Sequence, residues 1–280
     1  MPIKNIQPSK GKILHDLHHN GKLLVLPNVW ESLGAAMLED IGYSAIATAS
    51  GATAFSNGYQ DGEKIPFNDL LVILQRIVKS VNVPVTADIE NGYATNNSNL
   101  AENIRKLINI GIAGINFEDS HHYEQQLISI EHQCEKIFLI KKISKEMGAS
   151  LFVNARTDAY IKGNDLSGEE KLSQTIQRGK AYKDAGADGL YPIFLKDKTA
   201  ICEIIKEVDL SVNILLLPGI PEFSELKEIG VARLSLGPGL LKVAINAMKN
   251  VAERLLVCDG MNEVAQNPVS MDYLKNLIKV

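Results

Sequence analysis

Short apolar runs alternate with longer amphipathic stretches along nearly the whole chain. Eight of these runs are almost continuous in valine, isoleucine, leucine and alanine, which is typical of strands buried on both faces of a parallel sheet. The predicted strands are Leu23–Val29, Ala45–Ser50, Pro84–Glu90, Gly114–Ser120, Leu151–Thr157, Gly189–Phe194, Asn213–Pro218 and Arg233–Gly237. The stretches between them repeat apolar residues at helical spacing. They predict helices over Asn68–Ser80, Asn99–Ile110, Glu131–Met147, Ser167–Ala185, Thr199–Val208, Pro221–Ile229 and Leu240–Cys258.

Four helix-to-strand connections have similar sequences, in which a glycine ends the helix and a short apolar strand follows. These glycines are Gly42, Gly111, Gly186 and Gly230, and their recurrence indicates repeated βα units. Eight strands alternating with about eight helices predict a (β/α)8 TIM barrel, with an open doubly wound sheet as the alternative. We expect residues 1–260 to form one barrel domain. The less regular residues 261–280 are predicted to form a helical tail that packs on the barrel or on a neighbouring subunit.

The composition excludes several functional classes. The chain has 280 residues, with 29 basic and 33 acidic side chains, and its formal net charge of −4 does not favour binding to nucleic acid or to an anionic membrane. No apolar run approaches the roughly 18 residues of a membrane span, and the first residues lack the apolar core of a secretory signal. The sequence therefore predicts a cytoplasmic protein.

Polar side chains collect at the ends of the third, fourth and fifth predicted strands. They are Thr86, Asp88, Glu90, Asn116, Glu118, Asn154, Arg156 and Asp158, and they alternate with apolar residues. Because alternate residues of a strand share one face, the apolar set should pack on the helices and the polar set should point into the barrel. Chemistry in such barrels lies at the C-terminal ends of the strands, so these residues predict a functional mouth.

Charged side chains that converge in a partly buried mouth must be paired or bound to a metal. Asp88, Glu90 and Glu118 would repel one another, and their hard oxygen ligands favour Mg²⁺, with Mn²⁺ as an alternative. Arg156 matches a carboxylate on an anionic substrate. A single acidic residue at a strand end is usually a helix cap or a surface group, but three carboxylates and an arginine on successive strands are a rarer combination.

Other candidate residues have weaker support from the pattern. Ser50 and Gly51 follow the second strand, where a glycine lets the backbone approach a ligand and present its amides. Trp30 directly follows the first strand and is either a wall of the pocket or a plug of the core. His121 and His122 are adjacent, and neighbouring residues on an extended segment face opposite ways, which favours a loop role over a shared metal ion.

The chain resembles the phosphoenolpyruvate mutase/isocitrate lyase superfamily from about residue 17 to residue 251. The resemblance rests on Leu26–Trp30, Ala47–Gly51 with Gly58–Asp61, Thr86–Tyr93, Gly114–Ser120 and Asn154–Asp158. It implies a (β/α)8 barrel that exchanges its eighth helix between subunits, in a dimer or a homotetramer. It also implies bound Mg²⁺ and an α-keto acid or 2-hydroxy acid as the small-molecule substrate.

The resemblance also implies roles for individual residues. Asp88 resembles the principal metal carboxylate, Glu90 and Glu118 resemble the carboxylates that hold metal-bound waters, and Asp61 falls on a further metal-site aspartate. Arg156 falls on the substrate arginine, and Ser50–Gly51 resembles the backbone-amide loop. The predicted catalytic residues are thus Arg156, Glu118, Ser50 and Gly51, and the predicted metal ligands are Asp88, Glu90, Asp61 and Glu118. The predicted substrate-binding residues are Trp30, Ser50, Gly51, Asp88, Arg156, Asn116 and Asn154.

Two departures from the superfamily pattern bear on the reaction. The segment Ser120–Leu127 lacks the cysteine that serves isocitrate-type lyases as acid and base, and no lysine-bearing loop is evident there. A superfamily histidine after the sixth strand is replaced within Tyr191–Phe194. His121, His122 and Tyr123 are the local candidates for the role of the missing cysteine.

These departures favour a Mg²⁺-dependent lyase that acts on a small α-keto or 2-hydroxy (di)carboxylate through an enolate. Its reaction would be C–C cleavage or decarboxylation, as of oxaloacetate, because decarboxylation needs little more than an electron sink. The alternatives are C–P chemistry, as a phosphonopyruvate or phosphoenolpyruvate mutase or hydrolase, and a barrel that binds a keto acid without converting it.

Overall fold

Nine parallel strand segments follow one another around a single sheet in the computed structural model, which describes residues 7–121 and 126–278. They are β1 (Leu24–Leu26), β2 (Asn28–Val29), β3 (Ile46–Thr48), β4 (Val85–Asp88), β5 (Gly114–Glu118), β6 (Phe152–Thr157), β7 (Gly189–Pro192), β8 (Ser211–Leu215) and β9 (Arg233–Ser235). β1 pairs with β9 and β2 pairs with β3. Since β1 and β2 are two parts of the first predicted strand, the sheet closes on itself and the predicted (β/α)8 barrel is confirmed.

The helices lie between the strands in sequence. They are α1 (Gln7–His19), α2 (Ser32–Ile41), α3 (Ser50–Ser56), α4 (Phe67–Ser80), α5 (Asn97–Ile110), α6 (Ile130–Glu146), α7 (Ala159–Lys162), α8 (Gly168–Asp184), α9 (Lys198–Val208), α10 (Phe223–Glu228), α11 (Gly239–Leu256), α12 (Met261–Ala265) and α13 (Met271–Leu277). Each of the helices predicted from the apolar spacing is present, whereas α1, α2, α3 and α7 were not predicted.

The seam between β1 and β2 is held by a side chain. Pro27 interrupts the first strand, because proline has no backbone N–H to donate to the sheet. Asn28 compensates for the break, since its Oδ1 accepts from the backbone N–H groups of Leu236 and Gly237 at 2.8 and 3.0 Å. Its Nδ2 donates to the Thr48 carbonyl at 2.7 Å, so that one amide joins the segments on both sides of the break.

Helix α1 closes the end of the barrel at which the strands begin. Leu14 is completely buried, and the His18 ring stacks on Phe152 with 4.1 Å between the ring centroids. The helix lies so close to the barrel that a Cβ atom at Gly11 would come within 2.0 Å of the Ser150 carbonyl oxygen. The opposite end, where the strands terminate, is therefore the mouth.

The inward and outward faces of the strands follow the predicted alternation. Ile115 and Phe117 of β5 are completely buried in the layer between strands and helices. Asn116 and Glu118 are the intervening residues, and they pair in register with Asn154 and Arg156 of β6. The apolar core thus lies outside the barrel wall, and the polar residues line its interior.

The C-terminal helices differ in how much of their surface is buried. None of the 18 residues of α11 is buried, and Val243, Met248 and Leu256 are 66%, 67% and 85% exposed. By contrast, α13 packs against α2, where Leu277 is buried and the Tyr273 hydroxyl donates to Asp40. Within the described ranges, no helix combines the length and the apolar character needed to cross a membrane.

Candidate active site

Asp88 lies at the C-terminal end of β4, on the rim of the mouth. Its Oδ2 accepts hydrogen bonds from the backbone N–H and the hydroxyl of Ser50, at 3.3 and 3.2 Å. Burial raises the pKa of this carboxyl; Arg156 lowers it, whereas the charges of Glu90 and Asp61 raise it further. Three carboxylates from two segments of the chain therefore act on one another here, as the sequence predicted for Asp88 and Glu90.

Glu90 reaches this region by a route that the strand pattern did not predict. β4 ends at Asp88, and Glu90 has a left-handed backbone with φ of +50°. Its carboxylate accepts from the Glu63 backbone N–H at 2.9 and 2.8 Å and from the Tyr93 hydroxyl at 2.9 Å. The prediction that Glu90 continues the inward face of the strand is therefore wrong, because a contact with a distant loop turns the backbone.

Asp61 and Gly51 are neighbours across two segments. Gly51 is buried in the first turn of α3, and a Cβ atom added to it would come within 3.0 Å of the Asp61 Oδ2 atom. A glycine at this position thus lets the turn that carries Asp61 approach the helix. The superfamily resemblance implied a backbone-amide loop at Ser50–Gly51; in the structure these two residues begin a short helix that has Ala49 as its N-cap.

Arg156 is held between two carboxylates at the end of β6. Its Nη1 lies 2.7 Å from the Glu118 Oε2 atom, and its Nε and Nη2 donate to the two oxygens of Asp158 at 2.7 and 3.2 Å. Only 11% of the arginine side chain is exposed. Burial opposes the charge, but Glu118 and Asp158 outweigh it and hold the pKa of Arg156 well above its ordinary value. These contacts fix the guanidinium plane.

Asp158, the partner of Arg156, is held by a further buried hydrogen-bond network that sequence reasoning missed. The Ser120 hydroxyl donates to Asp158 Oδ2 at 2.5 Å, and the Asp158 backbone N–H donates to Asp119 at 2.9 Å. Asp119 is completely buried and accepts from Tyr182 and Arg178 at 2.7 and 3.1 Å. Only the charge and placement of these residues after a strand could have suggested this role.

A second support lies behind Glu118. Asn91 and Gln133 donate from their side-chain amides to the Glu118 carbonyl oxygen, at 2.7 and 3.0 Å. Lys136 donates to Asn91 Oδ1 at 2.6 Å, and burial lowers the pKa of Lys136 to about 8, against the opposing charges of Glu63 and Glu118. The backbone of Glu118 is thus anchored from α6.

The whole barrel has known relatives. Residues 14–256 match the family model described as phosphoenolpyruvate phosphomutase. The chain belongs to this family. A Mycobacterium tuberculosis protein of uncharacterised function is 34% identical over 92% of each chain, and the 2-methylisocitrate lyase of Halalkalibacterium halodurans is 27% identical over 78% of this chain and 71% of its own. The named relatives are enzymes, and this chain is an enzyme of the isocitrate lyase/phosphoenolpyruvate mutase superfamily.

The solved structures agree with this family assignment at the level of the fold. Phosphonopyruvate hydrolase, in a complex with oxalate and Mg²⁺, superposes on this chain with a TM-score of 0.83 at 23% identity. The alignment covers 96% of this chain and 94% of the hydrolase chain.

The remaining predicted residues of this phosphomutase-family barrel are placed less centrally. Asn154 donates to Asn116 at 2.8 Å inside the barrel, beneath the mouth. Trp30 lines a cavity of about 270 Å³ together with Glu31 and Arg76. His121 lines another cavity, of about 690 Å³, whereas His122 and Tyr123 lie outside the described residues.

The predicted metal ligands fit Mg²⁺ by their chemistry. Across the described residues, no three histidine, cysteine or acidic side chains lie close enough together to form a ready-made metal cage. Mg²⁺ does not require such a cage, because it keeps several waters and commonly uses one or two carboxylates together with its ligand. The charges of Asp61 and Glu90 act on the Asp88 carboxyl, and Glu118 is paired with Arg156.

Proposed function

We propose that the chain is a Mg²⁺-dependent lyase that acts on a small α-keto or 2-hydroxy (di)carboxylate, by C–C cleavage or decarboxylation. The observation that carries the proposal is the placement of Asp88 and Arg156 at one mouth, at the ends of β4 and β6 on either side of β5, where the charge of Arg156 acts on the Asp88 carboxyl. An acidic oxygen ligand beside a fixed guanidinium suits a substrate that carries a carboxylate next to an oxygen. The relative named 2-methylisocitrate lyase, and the binding of oxalate and Mg²⁺ by the hydrolase of the same fold, support the same substrate class.

Each residue would contribute a defined part of the chemistry. Mg²⁺, held by Asp88 with water-mediated help from Asp61, Glu90 and Glu118, would supply a Lewis acid that withdraws electrons from the substrate carbonyl. Arg156 would bind the substrate carboxylate through those N–H groups that Glu118 and Asp158 leave open. Cleavage leaves negative charge on the substrate oxygen as an enolate, and hydrogen-bond donors of the Ser50–Gly51 turn of α3 would stabilise that charge.

The apolar side of the mouth favours carbon chemistry over phosphonate chemistry. Tyr191 pairs in register with Arg156 and packs with Ile193 and Leu215 in a small apolar cluster. A transferred phosphoryl group needs cationic or hydrogen-bonding side chains, and within this cluster only the Tyr191 hydroxyl is of that kind. The missing cysteine of Ser120–Leu127 also removes the usual proton donor of isocitrate-type cleavage, which favours decarboxylation or a lyase with a different acid.

We also propose that the enzyme is a homo-oligomer that exchanges α11 between subunits. An amphipathic helix that buries none of its residues on its own barrel needs another surface for its apolar side chains, among them Val243 and Met248. A second copy of this chain supplies such a surface by symmetry.

The reaction is tested by incubating the protein with oxaloacetate, alkylmalates, methylisocitrate and phosphonopyruvate, with Mg²⁺ or with EDTA, while products are followed by NMR. We expect Mg²⁺-dependent product from a C–C substrate. Asp88→Asn should abolish that product and the stabilisation by Mg²⁺ in thermal melts, whereas the exposed control Asp165→Asn should not. Full activity of Asp88→Asn, or turnover of phosphonopyruvate alone, would contradict the proposal.

A further inference from the structure

Arg233 is a buried cation in the interior of the barrel. It is the first residue of β9, it is 0% exposed, and it lies in register with Asn213 of β8. Its Nε donates to the Ser235 hydroxyl at 2.9 Å, and that hydroxyl donates in turn to the Asn213 side chain at 3.1 Å. Its Nη1 and Nη2 atoms have no hydrogen-bond partner among the described residues.

The neighbouring groups locate the guanidinium of Arg233 between the two ends of the barrel. On one side, burial and then the charge of Arg233 lower the pKa of His18 in α1, the helix that closes the barrel. On the other side, Tyr191 and Asp88 raise the pKa of Arg233, although burial dominates and lowers it to about 10. Tyr191 lies within the fields of both Arg156 and Arg233. Ser235 ends β9 on the side of the mouth, so the hydrogen bond from Nε to its hydroxyl directs the guanidinium from the start of the strand towards the region of Asp88 and Arg156.

An unpaired guanidinium in such a place is costly, because a buried charge is tolerated only when it is paired or hydrogen-bonded. Asp88 could serve as a structural counter-charge, but its oxygens accept from Ser50 and from the Glu90 backbone N–H and not from Arg233. The fork of N–H groups on a guanidinium matches a carboxylate. An incoming anion would accept hydrogen bonds from the Nη1 and Nη2 groups of Arg233.

We propose that Arg233 binds the second carboxylate of the substrate, so that the substrate is a 2-keto or 2-hydroxy dicarboxylate. Arg156 takes the carboxylate next to the reacting oxygen, and Arg233 takes the distal one. This inference rests on the proposed function, because it uses the placement of the ligand beside Asp88 and Arg156. It makes Arg233 a specificity-determining residue that recognises the length and the charge of the substrate.

The test compares malate with lactate, which lacks the distal carboxylate, by calorimetric titration of the full chain in Mg²⁺. We expect the wild type to bind malate about tenfold more tightly than lactate, or better, because a charged hydrogen bond is involved. Arg233→Met should remove this preference and leave lactate affinity within about twofold, and Arg233→Lys should keep part of it. The exposed control Arg105→Met should bind both ligands like the wild type.

Several outcomes would overturn the proposal. One is a wild type that does not distinguish the two ligands, and another is an Arg233→Met variant that keeps the preference. Should Arg233→Met fail to fold in thermal melts, the side-chain ¹⁵N–¹H signals of Arg233 in the wild type decide, since they should shift with malate and not with lactate. None of these readouts requires turnover. A malate preference that depends on Arg233 in a protein without lyase activity would refute the proposed reaction alone.

Discussion

The carboxylate of Asp158 offers a sharp test of how the mouth orients its substrate. It accepts hydrogen bonds from Nε and Nη2 of Arg156 at 2.7 and 3.2 Å, and it also accepts one from the Ser120 hydroxyl, which fixes its position. Asp158→Asn keeps the shape of the side chain and removes its charge. The amide also replaces one acceptor oxygen with a donor group, which cannot face the guanidinium.

The size of the effect follows from these contacts. The substitution leaves Arg156 paired with Glu118 alone, so about one charge-assisted hydrogen bond is lost, which contributes about 1.5–3 kcal/mol to folding. Asp158 is 3% exposed, so solvent does not screen this loss. Changes to groups that orient a binding residue typically reduce affinity or activity by about 10–100-fold. We therefore expect the KM for the substrate to rise by about tenfold or more, with a smaller change in kcat.

The assay measures oxalate affinity by calorimetry, KM and kcat with whichever substrate the product screen identifies, and the midpoint of thermal unfolding. Asp165→Asn serves as the matched control, because Asp165 is exposed on the loop before α8. An Asp158→Asn variant that melts lower but retains wild-type oxalate affinity and KM would refute the reasoning. In that case Asp158 would support the fold without positioning Arg156.

Three further measurements test other parts of the structure. Burial lowers the pKa of Lys136 from 10.5 to about 8 in the folded state, so the unfolded chain binds more protons than the folded chain between these pH values. The free energy of unfolding of the wild type, relative to that of Lys136→Met, should therefore rise with pH across this window in chemical denaturation. A difference that does not change with pH would contradict this expectation. Gly11→Ala should lower the melting temperature by several degrees, because its Cβ would lie 2.0 Å from the Ser150 carbonyl. Val243→Glu with Met248→Glu should yield a smaller species in light scattering, and a wild-type monomer would contradict helix exchange.

The barrel was predictable from the sequence because both of its faces leave a periodic signal. In β5, Ile115 and Phe117 are completely buried beneath the helices, and Asn116 and Glu118 line the interior. Helix α1 leaves no comparable signal. Leu14 is completely buried, but only Ile13 and Leu17 accompany it as large apolar residues of the helix. The close approach of Gly11 involves Ser150, which lies more than a hundred residues away in sequence.

The candidate site was predictable only as far as its residues lie on strands. Asp88 is the last residue of β4 and Arg156 is the last but one of β6. Glu90 lies beyond the end of β4, and its carboxylate accepts from the Glu63 backbone N–H and the Tyr93 hydroxyl. The sequence around Arg233 does not indicate that its guanidinium is buried with open N–H groups. That its Nη atoms have no hydrogen-bond partner among the described residues is a property of the folded interior, and an arginine at the start of a strand is ordinary in sequence.

The charges of the mouth imply that an anionic substrate binds tightly only after a divalent cation has bound. Asp61, Asp88, Glu90, Glu118 and Asp158 outnumber the guanidinium groups of Arg156 and Arg233, so an anionic substrate meets a region of net negative charge. Carboxylates that lie close together in a partly buried site repel one another and repel an incoming anion strongly. We therefore expect oxalate or malate to bind weakly in EDTA and at least about tenfold more tightly once a divalent cation is present. By the reciprocity of linkage, the same anion should raise the affinity for Mg²⁺ by an equal factor. Equal anion affinity with and without Mg²⁺, measured by calorimetry, would show that the two arginines alone outweigh the carboxylates.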